Sequence, residues 1–216
     1  MEHTARPNLP RGPHGLSRDE VQRSQRVRLL QAATDEVAER GYANTTVAHI
    51  IARAGVSRAT FYALFADREA CFRAAYEANA ELVAAVMEAE LANVRSSRGE
   101  EPLARLDRVL AAYLAALQTA PTLARVFLVE VYAAGPVAIE QRRASLERFV
   151  DIVAETHRGE TGVLGTRKDQ RFAAEAFVGA VSFMITNAVA AGEIDSVTDL
   201  RKPLMRLAGQ ITGHES

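Results

Sequence analysis

The chain has 216 residues, 48% of them hydrophobic, which is enough to bury a core in one or two domains, and a formal net charge of −1. Its single cysteine, Cys71, excludes an intramolecular disulfide framework and a cysteine-rich zinc site, so nothing requires an oxidising compartment and a cytoplasmic location is expected. Charge is unevenly spread: residues 1–68 hold ten Arg against seven acidic residues, while residues 69–216 hold sixteen Lys and Arg against twenty, a weakly basic front suited to a polyanion on an acidic body.

Residues 1–16 carry Pro7, Pro10, Gly12, Pro13 and Gly15 without an apolar run, so they read as a flexible basic arm rather than a signal peptide. Arg6 and Arg11 could reach a minor groove from there, although a tail with no role is the simpler reading. Apolar residues then recur at three and four rather than alternating, which predicts an all-α fold. Ser17-Arg18-Asp19-Glu20 is a capping box that starts the first helix, and Gly41 ends it; its predicted inner stripe is Val27, Leu30, Ala33 or Thr34, Val37 and Ala38.

Thr46 caps a short second helix, Val47–Ala54, Gly55 breaks it, and Ser57 caps a third. In the third helix Phe61, Leu64 and Phe65 share one face, leaving Arg58, Ala59, Tyr62 and Ala63 on the other. A helix of this length is marginal alone in water, so it exists by packing on its neighbours with its second face free. Two short helices joined by a glycine turn, the second with a basic, hydroxyl-rich outer face, form a helix-turn-helix, and double-stranded DNA is the expected partner.

Asp67 caps a long helix running from Arg68 to about residue 94. Its predicted inner face is Phe72, Ala75, Tyr76, Leu82, Val83, Val86, Met87, Glu90 or Leu91, and Val94, interrupted by the amide of Asn79. Further helices are predicted at 103–118, 122–134, 137–158, 168–191 and 200–212, separated by Pro121, by Gly135-Pro136, and by the loops GETGVLGT and GEIDS. Pro203 fits only a first helical turn, which places a cap near Asp199. The uncharged stretch at 176–192 falls short of the roughly 20 residues a bilayer needs and contains Ser182, Thr186 and Asn187, so it reads as a helix surrounded by protein, with no membrane partner. No nucleophile elbow, zinc-protease helix, paired-cysteine motif or phosphate loop occurs, so no enzymatic activity, metal or cofactor is expected.

The stretch AERGYANTTVAHIIARAGVSRATFYALFADREACF, residues 38–72, resembles the TetR/AcrR family of bacterial transcriptional regulators through Gly41-Tyr42, Thr45-Thr46-Val47, Ala54-Gly55-Val56-Ser57, Thr60-Phe61-Tyr62, Phe65 and Arg68-Glu69. VEVYAAGP, residues 129–136, looks like one of its subgroups. The resemblance implies a helix-turn-helix domain at 17–66, a ligand-binding and dimerisation domain at 67–212, and a tail at 213–216. It implies that Thr46, Ser57, Thr60, Tyr62 and Arg68 meet phosphates, which sets register, while Arg58, Ala59 and Ala63, with Ala48 and His49 at the edge, face bases. Leu64 stands where the family often has a histidine, and Ile51 where alanine is common.

For the second domain the resemblance implies a homodimer on a palindromic operator and a small-molecule effector. Ala176, Gly179, Ala180, Phe183, Met184, Ala188 and Ala191 are the candidate dimer residues. Tyr76, Tyr113, Phe127, Glu130, Tyr132, Phe149, His157 and Asn187 are the candidate pocket residues. The expected function is a repressor released by its ligand. An activator with the same DNA contacts and a helical sensor without DNA specificity are the alternatives.

Overall fold

The computed structural model describes residues 17–96, 99–157 and 166–212, and their regular structure is helical throughout. The helices are α1 (Arg18–Arg40), α2 (Val47–Ala54), α3 (Arg58–Leu64), α4 (Arg68–Ser96), α5 (Pro102–Thr119), α6 (Pro121–Leu128), α7 (Pro136–Glu155), α8 (Arg167–Ala190) and α9 (Arg201–Ile211). Short 3-10 segments, Glu130–Ala134 and Ile194–Leu200, follow α6 and α8. The arm at 1–16, the tail at 213–216 and the predicted loop over 159–165 lie outside the described residues.

Local chemistry starts the first four helices where the sequence predicts. Ser17 Oγ accepts the Glu20 amide at 3.2 Å while the Glu20 carboxylate accepts the Ser17 amide at 2.7 Å. Thr46, Ser57 and Asp67 accept the amides of His49, Thr60 and Ala70 at 3.2, 3.0 and 2.7 Å. Gly41 and Gly55 follow α1 and α2 with φ of 79° and 63°, a region costly for any residue with a Cβ.

Two apolar cores form. The smaller joins Leu29, Ala32 and Ala33 of α1 to Ile50, Ala54, Phe61, Phe65, Cys71 and Ala75. Phe61 is fully buried, worth about 1.5–3 kcal/mol to the short α3. Burial pushes the Cys71 thiol up to about 12, in spite of the opposing charge of Arg26. The larger core is built from α4 to α9, Phe72 of α4 included, and Val37 and Tyr42 of the front half pack into it.

The stripes differ in detail from those predicted. Val27 is exposed while Leu29 is fully buried, because the interior of α1 faces α2, α3 and α4 at once and its buried face is turned from the predicted one. On α4, Leu82 and Val86 are exposed and Asn79 is buried, its Nδ2 donating to Thr34 Oγ1 at 3.1 Å. The helix predicted over 122–134 is α6 followed by a 3-10 segment. Pro121 has no amide to continue α5, and α6 leaves at 106° to it. The GEIDS loop is largely 3-10, and Pro203 sits in the first turn of α9. α8 is long and apolar enough to cross a bilayer, with a mean hydropathy of 1.5, yet it is not enclosed as expected: Phe172 and Phe183 are about 70% exposed on its outer side.

Glu36 ties the end of α1 to α2. Its carboxylate accepts Arg53 Nε at 2.6 Å and Arg40 Nε at 2.5 Å, and Arg53 also reaches Glu39. Burial alone would raise the Glu36 pKa, but the hydrogen bonds and charges of Arg53 and Arg40 outweigh it and hold the pKa below 4.5. A depressed native pKa gives stability that is present above the unfolded value and lost as pH falls through the native one. Glu36→Gln should therefore cost about 1–2 kcal/mol at neutral pH, less than a wholly buried pair because Arg53 is 32% exposed. Urea melts of the two proteins should converge at acid pH; equal stability at neutral pH would contradict the network's contribution.

Candidate nucleic-acid interface

The small core sets α3 in place. Phe61 and Phe65 point inward, with Leu64 half-buried against them, so Arg58, Ala59, Tyr62 and Ala63 stand exposed on the opposite face. Arg58 is in the first turn and makes no ion pair among the described residues. Tyr62 is 50% exposed, its ring edge-on to Phe61 at 5.3 Å and its hydroxyl at the surface. Thr46, Ala48 and Ser57 are exposed, and His49 and Thr60 half-buried, so the DNA-facing candidates of α2 and α3 all reach solvent.

Four of the DNA-facing candidates, Arg68 of α4 included, make structural contacts that sequence did not reveal. His49 Nδ1 accepts the Thr46 amide at 3.3 Å, completing a reciprocal cap that leaves Nε2 as the ring donor. Ser57 Oγ shares a hydrogen bond of 2.9 Å with Thr60 Oγ1, so the two hydroxyls act as one polar unit. Arg68 is the larger revision. Its Nη1 donates to the carbonyls of Tyr42 and Thr45 at 3.0 and 2.6 Å, and its guanidinium lies 4.3 Å from the centre of the Tyr42 ring. Arg68 fastens the α1–α2 loop to the start of α4, and Nε and Nη2 stand outside these bonds.

Behind the interface the body encloses the aromatic candidates. Tyr76 stacks on Phe127 at 5.2 Å, Phe127 meets Phe149 at 6.1 Å, and Phe149 meets Tyr113 at 5.7 Å. A cavity of about 30 Å³ lies among Tyr113, Phe149, Leu110, Phe177, Val181 and Ser182. A larger one, about 270 Å³, opens between α4 and α7 along Tyr76, Ala80, Ala84, Ser145 and Phe149. His157 borders a third of about 20 Å³ between α7, α8 and α9.

Four pocket candidates line none of these cavities: Phe127, which is buried behind Tyr76, and three that sit elsewhere. Glu130 pairs with Arg125 at 3.1 Å and accepts the Tyr42 amide at 2.9 Å, so it joins the body to the front instead of lining a cavity. Asn187 is exposed on α8, since its register follows Phe183 outward. Tyr132 has an exposed ring, but its hydroxyl turns in to accept Arg142 Nε at 3.1 Å. Arg142 itself was missed by the sequence reading, although it falls on the inner face of α7 with Ala138, Phe149 and Val153.

The dimer candidates lie on α8 or, for Ala191, at its C-terminal cap. Ala176, Gly179, Phe183 and the adjoining Ala191 are exposed, and Ala180, Met184 and Ala188 are half-buried. With Phe172 they make an apolar outer stripe, and a Cβ built on Gly179 would meet nothing within 4 Å of this chain.

Residues 29–75 match the family model of bacterial regulatory proteins, tetR family. A comparison with curated proteins gives no match. Among solved structures, a TetR-like transcriptional regulator from Rhodococcus sp. RHA1 superposes with a TM-score of 0.65 at 22% identity, covering 90% of this chain and 99% of its own. The fatty acid degradation regulator FadR from Bacillus halodurans gives 0.70 at 20% identity, covering 84% and 96%. FadR from Bacillus subtilis, solved in complex with stearoyl-CoA, gives 0.69 at 17% identity, covering 88% and 99%. These likenesses extend the shared fold well beyond the matched front. Residues 29–75 thus match the tetR family of bacterial regulatory proteins, and the chain shares the fold of the TetR-type transcriptional regulators on which it superposes.

Proposed function

We propose that this regulator is a dimeric repressor that binds a palindromic operator and is released from it by a small molecule held in the body. The exposed face of α3 over a dedicated core carries the DNA part of this reading. Thr46, Ser57, Thr60, Tyr62 and the free N–H groups of Arg68 would hold phosphates and fix register. Arg58 would read a guanine edge bidentately, with the methyl groups of Ala59 and Ala63 against thymine, and Ala48 and His49 at the margin.

The outward apolar stripe of α8 supports the dimer, because a face holding Phe172 and Phe183 gains from being covered. Two copies related by a two-fold axis would set their recognition helices about 34–36 Å apart, one turn of DNA, and so read a palindrome. The cavities around Tyr113, Phe149 and Tyr76 support an effector site, as does the ligand-bound state of one structural neighbour. A ligand that binds better to a dimer of different helix spacing lowers DNA affinity by the difference, without touching DNA.

The reading is tested by incubating the protein with genomic fragments, including the region upstream of its own gene, and sequencing those retained at moderate salt. A shared palindrome is expected; retention without a common sequence that vanishes as salt rises would shift weight to a sensor without DNA specificity. Reporter expression that falls on deleting the regulator would make it an activator instead.

Arg58→Ala should relax base preference at one position per half-site by about 1–3 kcal/mol, and an unchanged selected motif would remove Arg58 from base reading. Tyr62→Phe should weaken binding to all sequences alike by about 1 kcal/mol; an altered preferred sequence would contradict a phosphate role. Phe183→Glu should shift sedimentation from dimer to monomer while leaving the helical circular dichroism intact, and a dimer that persists would move the interface off α8.

A further inference from the structure

Three charged side chains are buried among the described residues: Glu36, Glu130 and Arg142. The first two are paired, with Arg53 and Arg40 and with Arg125. Arg142 is 2% exposed and has no carboxylate within ion-pairing distance among the described residues. It donates Nε to the Tyr132 hydroxyl at 3.1 Å, Nη1 to the Phe127 carbonyl at 3.3 Å and Nη2 to Ser182 Oγ at 2.8 Å, all neutral acceptors. An arginine stays protonated in a protein, and its five N–H groups exceed these three bonds. A buried cation without a counter-ion is costly to fold, so its retention at this position asks for a compensating use.

The surroundings are short of a partner in the complementary sense. The Tyr76 hydroxyl is buried without a hydrogen bond, and it lies close enough to Arg142 and Ser145 for both to act on its ionisation. Gln141 Oε1 is also buried without a partner, an acceptor that a carboxylate does not serve. Tyr76, Gln141 and Ser145 line the 270 Å³ cavity, whose remaining inner wall is Ala80, Ala84 and Phe149. Ser182, which holds Arg142 from the other side, lines the small apolar cavity. A cavity of about 150 Å³ suffices for a benzene-sized molecule, so the larger one takes an aromatic or medium-chain body. Glu77 and Glu81 stand on its rim, with Arg148 paired to Glu81, an arrangement that disfavours a multiply charged head group.

We propose that the effector is an apolar carboxylic acid, its carboxylate against Tyr76, Ser145 and the charge of Arg142, its hydrocarbon body along Ala80, Ala84 and Phe149. This rests on the reading that a ligand in the body controls DNA binding, and it names that ligand's class. A single carboxylate accepts the Tyr76 hydroxyl and, once the Ser145 hydroxyl turns from the Gln141 carbonyl to which it donates at 3.0 Å, that hydroxyl as well, and it supplies the counter-charge that Arg142 lacks. The same arginine holds the carbonyl of Phe127, so the acid is sensed on the segment that carries Glu130 and its bond to the Tyr42 amide.

The test uses the full chain without DNA. Binding of the alkanoates from hexanoate to dodecanoate, and of benzoate and naphthoate, is measured by calorimetry against the matched alcohols. The best acid should bind about tenfold to a hundredfold more tightly than its alcohol, the worth of a hydrogen bond to a charged group. Arg142→Met should bind acid and alcohol alike. If that variant does not fold, Tyr76→Phe, which keeps the ring stacked on Phe127, should narrow the preference by about tenfold at unchanged circular dichroism. Equal binding of acids and alcohols by the native protein, no binding of any acid, or a preference untouched by the foldable variant would overturn the assignment. Adding the same probes to the protein–operator complex separates the two readings: acid-selective binding without release refutes ligand control and leaves the site, whereas equal release by acids and alcohols keeps ligand control and refutes the site.

Discussion

The joint between the two halves of this molecule centres on the Glu130 carboxylate, which is buried, paired to Arg125, and accepts the amide of Tyr42 at 2.9 Å. That amide belongs to the loop between α1 and α2, and Gly41 before it takes a φ of 79° with its α-carbon beside the same carboxylate. The loop is then held from the other side by Arg68, which grips the carbonyls of Tyr42 and Thr45. The placement of α2 and α3 follows, because the loop's exit fixes where Thr46 begins the cap of α2. Removing one partner of a buried charged hydrogen bond leaves the other desolvated, so this joint holds one geometry.

Elements governed by neighbours in sequence were legible. Ser17, Thr46, Ser57 and Asp67 each act three residues ahead, and their caps are where the residue types put them. Interactions across the chain left no such trace. Glu130 with Tyr42, Asn79 with Thr34 and Arg201 with Asp107 join residues tens of positions apart, and any one of the six could pass for a surface group. The stripes of α1 and α4 failed where a helix is packed on more than one side, since a single-face period then misplaces residues such as Val27 and Leu82. In the candidate DNA face the residue types were readable, but the capping role of His49 and the clamp made by Arg68 were not, since both depend on where a ring or a guanidinium turns in space.

On the proposed mechanism the short segment from Phe127 to Glu130 is the lever. Its carbonyl at Phe127 is held by Arg142, its ring is stacked on Tyr76, and three residues on its carboxylate holds the front half. Coupling energies between sites are commonly about 1–3 kcal/mol, the same range as one hydrogen bond to a charged group. Loosening or tightening a single bond on this segment is therefore large enough to account for regulation, and no wide rearrangement of the body is needed. The change to 3-10 geometry after Leu128 gives this segment a different hydrogen-bond register from the α-helix before it.

Cys71 has a consequence of another kind. The chain's lone thiol is sealed inside the smaller core, fully buried and kept in its unreactive protonated form. A thiol reagent can reach it when that core opens, so the rate of alkylation is a clock for local opening at the helix-turn-helix end. Because the larger core has no thiol of its own, the clock separates breathing of the front from unfolding of the whole, and needs no label to be built in.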